Sequence, residues 1–200
     1  YNTESGFWLW QVDGTDRLLN VEQLGGPGGK DRDARTGAFC READALAAEA
    51  YRAGEGLAGD EAVVERLYRA AELVAAQTEY RADVGTGEAY SALVEGLAKC
   101  DGYSWAYLSV LYRMGIPCSV VEGPDHAWNA VWLGGELRHI DVTWLDQGNT
   151  ISGPWFLMTT KERQESMEIT SDLEAVAQAL LLGGGGAPRE KKNTYFKVAI

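Results

Sequence analysis

Three side chains in the 200-residue sequence have the types and the order of a thiol acyl-transfer site: Cys100, His126 and Asp141. A thiol attacks a carbonyl carbon as thiolate, and at neutral pH it needs a neighbouring base to reach that form. An imidazole can take the proton and later return it to a leaving amine, provided a carboxylate fixes its tautomer and offsets its charge. Taken singly, each residue has a plainer reading: a buried structural cysteine, a satisfied histidine on a sheet, a helix cap or ion-pair partner. The joint pattern separates the two, so the elements that carry these residues decide.

Cys100 stands immediately before a helix. Ser104, Trp105, Leu108, Leu111 and Tyr112 repeat at helical spacing from Tyr103 to Met114, and Gly115 followed by Pro117 stops the run. A helix start favours thiolate through its unpaired N–H groups and macrodipole; Gly102 allows a tight turn, and the Cys100 N–H is positioned to donate to an oxyanion. Downstream, PCSVVEG, HAWNAVWL and ELRHIDVTW are short and β-branched or aromatic, which predicts antiparallel strands over 117–122, 126–133 and 136–144. With Gly134-Gly135 as the hairpin turn, Leu133 pairs with Glu136 and His126 falls opposite Thr143. Asp141, two residues from Thr143, then shares the His126 face as a diagonal neighbour. The fold class this predicts is α+β and papain-like, with the cysteine-bearing helix packed on an antiparallel sheet.

Trp128 shares the His126 face and is expected to wall the site from water. Tyr90 is a candidate second oxyanion donor, equally readable as a packed helical tyrosine. Asn129 faces away by parity, and Asp146 falls beyond the strand; either would become the orienting residue if the register were wrong. His139 competes for the base role, but it sits two residues from Asp141 on one strand, with no separate element to aim it at Cys100, so a supporting role is expected. Cys118 reads as a small core residue of the first strand, and Cys40 has no recognisable partner. With three cysteines, no C-x-x-C and two histidines, no disulfide framework, metal or cofactor is expected.

Composition sets the frame. At 46% hydrophobic residues the chain suits one globular domain with a terminal extension. A formal charge of −12 and a pI near 4.6 exclude the basic footprint of a nucleic-acid binder and disfavour anionic membrane surfaces. No apolar run approaches the roughly 20 residues that span a bilayer. The sequence starts at Tyr1 rather than Met, which leaves room for a removed signal, anchor or further domain upstream, and further domains downstream are equally allowed. The compartment stays open, an extracytoplasmic or cell-surface one included.

Around the site the punctuation is regular. SGFWLWQV reads as an aromatic strand and LGGPGGKDRDARTG as an exposed loop. A helix is expected from Glu42 until Gly54, Gly56 and Gly59 interrupt it, and a second starts with Asp60 as N-cap. In the latter, Val64, Leu67, Tyr68, Ala71, Val74 and Ala75 form a core-facing stripe. Capping boxes at Thr159/Glu162 and Ser171/Glu174 predict two short helices; Gly183 to Gly186 reads as a linker and TYFKVAI as a closing strand. The expected organisation is an extension over 1–59, a catalytic core over 60–168 and a C-terminal segment over 169–200.

The strings KCDGYSWAYLSVLYRMGIPCSVVEG, HAWNAVWLGGELRHIDVTW and PWFLMT, with TEYRAD upstream, resemble the successive core blocks of the transglutaminase-like superfamily. The resemblance implies that the cysteine of C-x-G-Y is the nucleophile, the histidine of H-A-W-N the base and the aspartate of D-x-T-W its orienting acid, by position Cys100, His126 and Asp141. Leu137-Arg138 and Leu145 depart from the aromatic pair and the second acid common in the family. The function implied is thiol-dependent acyl transfer on peptide or glutamine-type amides, by a peptidase-like hydrolase or a transamidase, with a glycoprotein deglycosylase also compatible. Nothing in the sequence resembles the calcium sites of large cross-linking members, so a hydrolase on a protein or peptide substrate is expected. The alternative is a non-catalytic binding or cell-surface module that keeps the fold.

Overall fold

The computed structural model describes residues 30–83, 87–148 and 150–182, together with four two-residue strands nearer the N-terminus. These are β1 (Asn2–Thr3) and β2 (Gly6–Phe7), which pair with each other, and β3 (Leu9–Trp10) and β4 (Leu18–Leu19), which do the same. The expected strand over SGFWLWQV is thus represented by β2 and β3. Its other residues, the Gly183 to Gly186 run and TYFKVAI lie outside the described residues.

Helix α1 spans Lys30–Arg52, so it begins inside the string expected to be a loop and well before Glu42. The physical reason is the buried series Phe39, Ala43, Ala47 and Ala50, whose helical spacing starts upstream of the Ala-rich run. Helix α2 (Gly59–Gln77) has Ala58, not Asp60, as N-cap; Asp60 joins Glu61 in the first turn, where acids complement the helix dipole. Its buried stripe is Ala62, Leu67, Ala70, Ala71, Val74 and Ala75. Tyr68 is rotated to the edge, 39% exposed, with its ring against Phe156 at 5.3 Å.

Two short strands, β5 (Glu79–Tyr80) and β6 (Leu97–Ala98), pair in parallel and flank a π-helical turn at Ser91–Glu95. Helix α3 (Cys100–Arg113) follows and is buried from Gly102 to Leu111. A helix apolar on nearly all sides belongs inside, and α3 lies between the α1–α2 pair and the sheet. Its buried serines are satisfied locally: Ser104 Oγ donates to the Cys100 carbonyl at 2.9 Å and Ser109 Oγ to the Trp105 carbonyl at 2.7 Å. Gly115, at φ 73°, terminates it as expected.

The sheet is antiparallel with order β10-β9-β8-β7, where β7 is Ser119–Gly123, β8 His126–Leu133, β9 Glu136–Ile140 and β10 Met158–Thr159. The β8–β9 register pairs Leu133 with Glu136 and Asn129 with Ile140, as the Gly134-Gly135 turn predicts. The last strand is nevertheless shorter than expected: it stops at Ile140 instead of running on to Trp144, and the chain enters the short helix α4 (Val142–Leu145) with Asp141 as N-cap. Thr143 is therefore not opposite His126, whose strand partner is Gly123 of β7.

One face of β8 presents Ala127 and Val131 to the main core with α3; the other presents Trp128 and Ala130 to a smaller cluster with Val176 and Leu180 of α6 (Leu173–Leu181). Before α6 in sequence, α5 (Thr160–Ser166) starts with the expected Thr159/Glu162 capping box. The second box is not formed. Asp172 caps α6 by accepting the Ala175 N–H, while Ser171 Oγ accepts the Glu122 N–H and ties this segment to β7. Among the described residues no helix is long and apolar enough to cross a membrane.

Candidate active site

Cys100 is the first residue of α3, one place further into the helix than the sequence suggests, with Lys99 as an extended N-cap. It is 9% exposed, which leaves the thiol sheltered but at the start of a 14-residue helix whose dipole favours the anion. Asp101 Oδ1 lies 3.9 Å from its sulfur.

His126 opens β8 directly after a tight turn in which Asp125 adopts φ 54°, a conformation that Asp tolerates better than most residues. That turn fixes the imidazole at the end of the sheet nearest the α3 start. Nε2 lies 2.7 Å from Asp141 Oδ2, which leaves Nδ1 as the nitrogen available to Cys100. The ring stacks on Trp144 with centroids 4.7 Å apart and on Trp128 at 6.0 Å. Burial pulls its proton affinity down, but hydrogen bonds and charge from Asp141 and Cys100 outweigh that and raise the pKa to about 9.

Asp141 is fully buried and both of its carboxylate oxygens are engaged. Oδ1 accepts the Trp144 N–H at 3.1 Å as the cap of α4; Oδ2 receives His126 and, at 3.2 Å, Nη2 of Arg163. The Asp141 N–H donates to the Trp155 carbonyl at 2.9 Å. Its position is thus set twice, by side-chain capping and by the backbone.

Arg163 is a member of the site that the sequence reading does not single out. It is fully buried, its guanidinium carbon 3.9 Å from the Trp128 ring centroid and 4.5 Å from that of Trp144. A signal for it exists in the capping box: with Thr159 as N-cap, Arg163 occupies the fourth helical position, the one that turns inward beside the residue preceding the cap.

Trp128 is fully buried, with its ring 6.0 Å from that of His126. Its Nε1–H donates to His139 Nδ1 at 3.0 Å, so His139 carries its proton on Nε2, which faces Thr160 Oγ1 at 3.1 Å. Burial and the charge of Arg163 lower the His139 pKa to about 4. A histidine held neutral with both nitrogens engaged supports the sheet and lacks a free nitrogen for a base role. Asn129 faces α3, where Nδ2 donates to the Ser104 carbonyl at 3.0 Å and to Cys118 Sγ at 3.4 Å. Asp146 accepts from the Tyr103 hydroxyl at 2.7 Å and from the Gly148 N–H. Neither is brought to His126. Tyr90 lies under the Arg35 guanidinium, whose carbon is 3.7 Å from the ring centroid. No cluster of three or more His, Cys, Asp or Glu suited to a metal occurs among the described residues.

A transglutaminase crystal structure aligns with a TM-score of 0.43 and 17% identity over 70% of this chain and 38% of its own length. A candidate cysteine protease from Cytophaga hutchinsonii aligns with a TM-score of 0.43 and 17% identity over 82% and 56%. Menin, described with its binding site for the Mixed Lineage Leukemia protein, aligns with a TM-score of 0.41 and 24% identity over 60% and 27%. The chain therefore spans less than two thirds of each of these proteins. No curated protein matches the sequence. Residues 49–146 match the family profile described as the transglutaminase-like superfamily; this segment contains Cys100, His126 and Asp141, and it belongs to that superfamily.

Proposed function

We propose that this protein is a thiol-dependent acyl-transfer enzyme acting on peptide or glutamine-type amides, with Cys100 as nucleophile, His126 as base and acid, and Asp141 as the group that orients His126. The observation that carries the reading is the 2.7 Å contact between His126 Nε2 and a fully buried carboxylate, which leaves Nδ1 to serve the thiol at the α3 start.

His126 Nδ1 takes the proton of the Cys100 thiol, giving the ion pair from which the reaction starts. The thiolate sulfur bonds to the amide carbon, and the oxyanion that forms is met by the N–H groups of the α3 start. As the C–N bond breaks, the leaving nitrogen takes the proton from His126 Nδ1, and a thioester remains. A water then gives a proton to His126 and its oxygen to the acyl carbon. The C–S bond breaks, releasing the acid and regenerating the ion pair. A primary amine in place of water gives a new amide. Hydrolysis is the proposed outcome, because water is the acceptor that needs no further binding site. Trp128 and Trp144 keep bulk solvent off the imidazole–carboxylate pair.

The test is incubation with peptides containing Gln or Asn, with and without a primary amine, read by mass. Backbone cleavage, loss of side-chain ammonia and amine incorporation give distinct mass changes. Absence of all three across a broad peptide library would overturn the proposal.

A further inference from the structure

The buried guanidinium of Arg163 has few reasons to be where it is. Nη2 meets Asp141 Oδ2 at 3.2 Å and, among the described residues, its other polar contact is the Met167 sulfur at 3.7 Å. Nε and Nη1 are buried without a hydrogen-bond partner among the described residues. A cation so deeply buried is tolerated only if a counter-charge and ring faces compensate it, and here both are shared with His126: Asp141 is the common acceptor and Trp144 the common stacking partner.

We infer that Arg163 is a positioning residue of the site, which holds the buried Asp141 carboxylate aligned on His126 Nε2 while His126 gains and loses its proton. The inference rests on the acyl-transfer reading for its purpose, and on the four-residue contact set for its physics. During turnover His126 alternates between cation and neutral ring. In the neutral phase a fully buried Asp141 without Arg163 would be an uncompensated anion, and the Asp141–His126 pair would hold its proton more tightly. Arg163 supplies the fixed positive charge that lets the proton leave. Contacts with the Trp128 and Trp144 rings hold the guanidinium in place, so the charge stays at the carboxylate oxygen that His126 uses.

Among the described residues, the charged and titratable groups facing this set are Cys100 and Asp141 against His126, Asp141 and His139 against Arg163, and Asp101 beside Cys100. Removing Arg163 therefore changes a short list of interactions.

The experiment uses the full chain as wild type, Arg163→Met, Arg163→Gln and Arg163→Lys. His126 is titrated by imidazole NMR, and the rate of Cys100 alkylation by iodoacetamide is followed against pH. In Arg163→Met and Arg163→Gln the His126 curve should move to higher pH by about one unit, the scale of losing one nearby charge; Arg163→Lys should restore most of the shift. Folded neutral variants whose His126 titration coincides with wild type would overturn the inference and make Arg163 a packing residue. Should the neutral variants fail to fold, the Arg163 Nε resonance of the wild-type protein decides: it should shift as His126 titrates, and a flat response overturns the inference. The His126 and Arg163 signals report whether or not Cys100 reacts. An inert Cys100 with a shifted His126 would thus defeat the acyl-transfer reading alone.

Discussion

His126 and Asp141 meet 2.7 Å apart across the open end of the β8–β9 hairpin, one as the first residue of β8, the other just past the end of β9. Neither is the other's strand partner. Asp141 reaches the imidazole because it caps α4, so its carboxylate serves the helix through one oxygen and the histidine through the other. Asp141→Asn keeps the cap acceptor but removes the charge that supports the imidazolium, and turnover should fall by about three to four orders of magnitude. Asp146→Asn should leave turnover within a few-fold, since Asp146 serves the Tyr103 hydroxyl and the Gly148 N–H, and should cost about 1 kcal/mol of stability. Peptide assays and denaturant melts of the two variants check both statements.

The three thiols should separate cleanly in alkylation. Cys118 is fully buried, and burial raises its pKa far above the ordinary thiol value, against a smaller opposing effect from Asn129. Burial likewise raises Cys40, partly offset by Arg113. Of the three, Cys100 is the one with an imidazole of raised proton affinity beside it. Iodoacetamide at neutral pH should modify Cys100 at least about tenfold faster than Cys40, with Cys118 slowest, as read by peptide mass mapping. Cys100→Ala should remove the fast phase and turnover together while leaving the melting curve nearly unchanged. Equal slow labelling of all three would contradict an activated thiolate.

Local pattern makes much of this site legible. Gly134-Gly135 alone sets the β8–β9 register, and the Gly115, Pro117 stop locates the end of α3. The strand end at Ile140 is not legible, because DVTW has the β-branched and aromatic content of a strand, and the competing capping preference of Asp141 shows only once Trp155 takes its backbone N–H. Lys30 to Thr36 reads as loop for the same kind of reason: its polar composition hides a helix whose anchor is Phe39, a turn further on. Arg163 escapes a sequence reading because a charged residue in a polar heptapeptide defaults to the surface, and tertiary burial between two indoles is not a local property.

Acid sensitivity should trace to His139. Its folded pKa, about 4, lies below the ordinary 6.5, so the folded state binds this proton less readily than the unfolded chain. The contribution is fully present above the ordinary value and is lost as the pH falls toward the folded one, amounting to about 3 kcal/mol when complete. His126 runs the other way: with a folded value of about 9 against an ordinary 6.5, its contribution is present below the ordinary value and lost as the pH rises through the folded one. Urea midpoints across this range should fall on both sides. His139→Gln keeps an acceptor for Trp128 and a donor for Thr160 without a titrating group, and should flatten the acid limb only.

Asp141 and Arg163 should be strongly non-additive. Both are fully buried, so Asp141→Asn alone leaves the guanidinium in a dry site without its counter-charge, and this should cost about 3 to 5 kcal/mol in addition to the lost activity. Arg163→Met alone leaves Asp141 with His126, which can compensate by holding its proton, so the expected stability loss is smaller. In the Asp141→Asn/Arg163→Met double variant no uncompensated charge remains in the pocket between Trp128 and Trp144. Its urea-derived stability should exceed that of Asp141→Asn by more than about 1 kcal/mol, while its turnover stays as low as that of Asp141→Asn. Recovery of stability without recovery of activity distinguishes a charge pair that serves His126 from one that merely fills space. Additive stability losses in the cycle would mean that the 3.2 Å contact contributes no coupling.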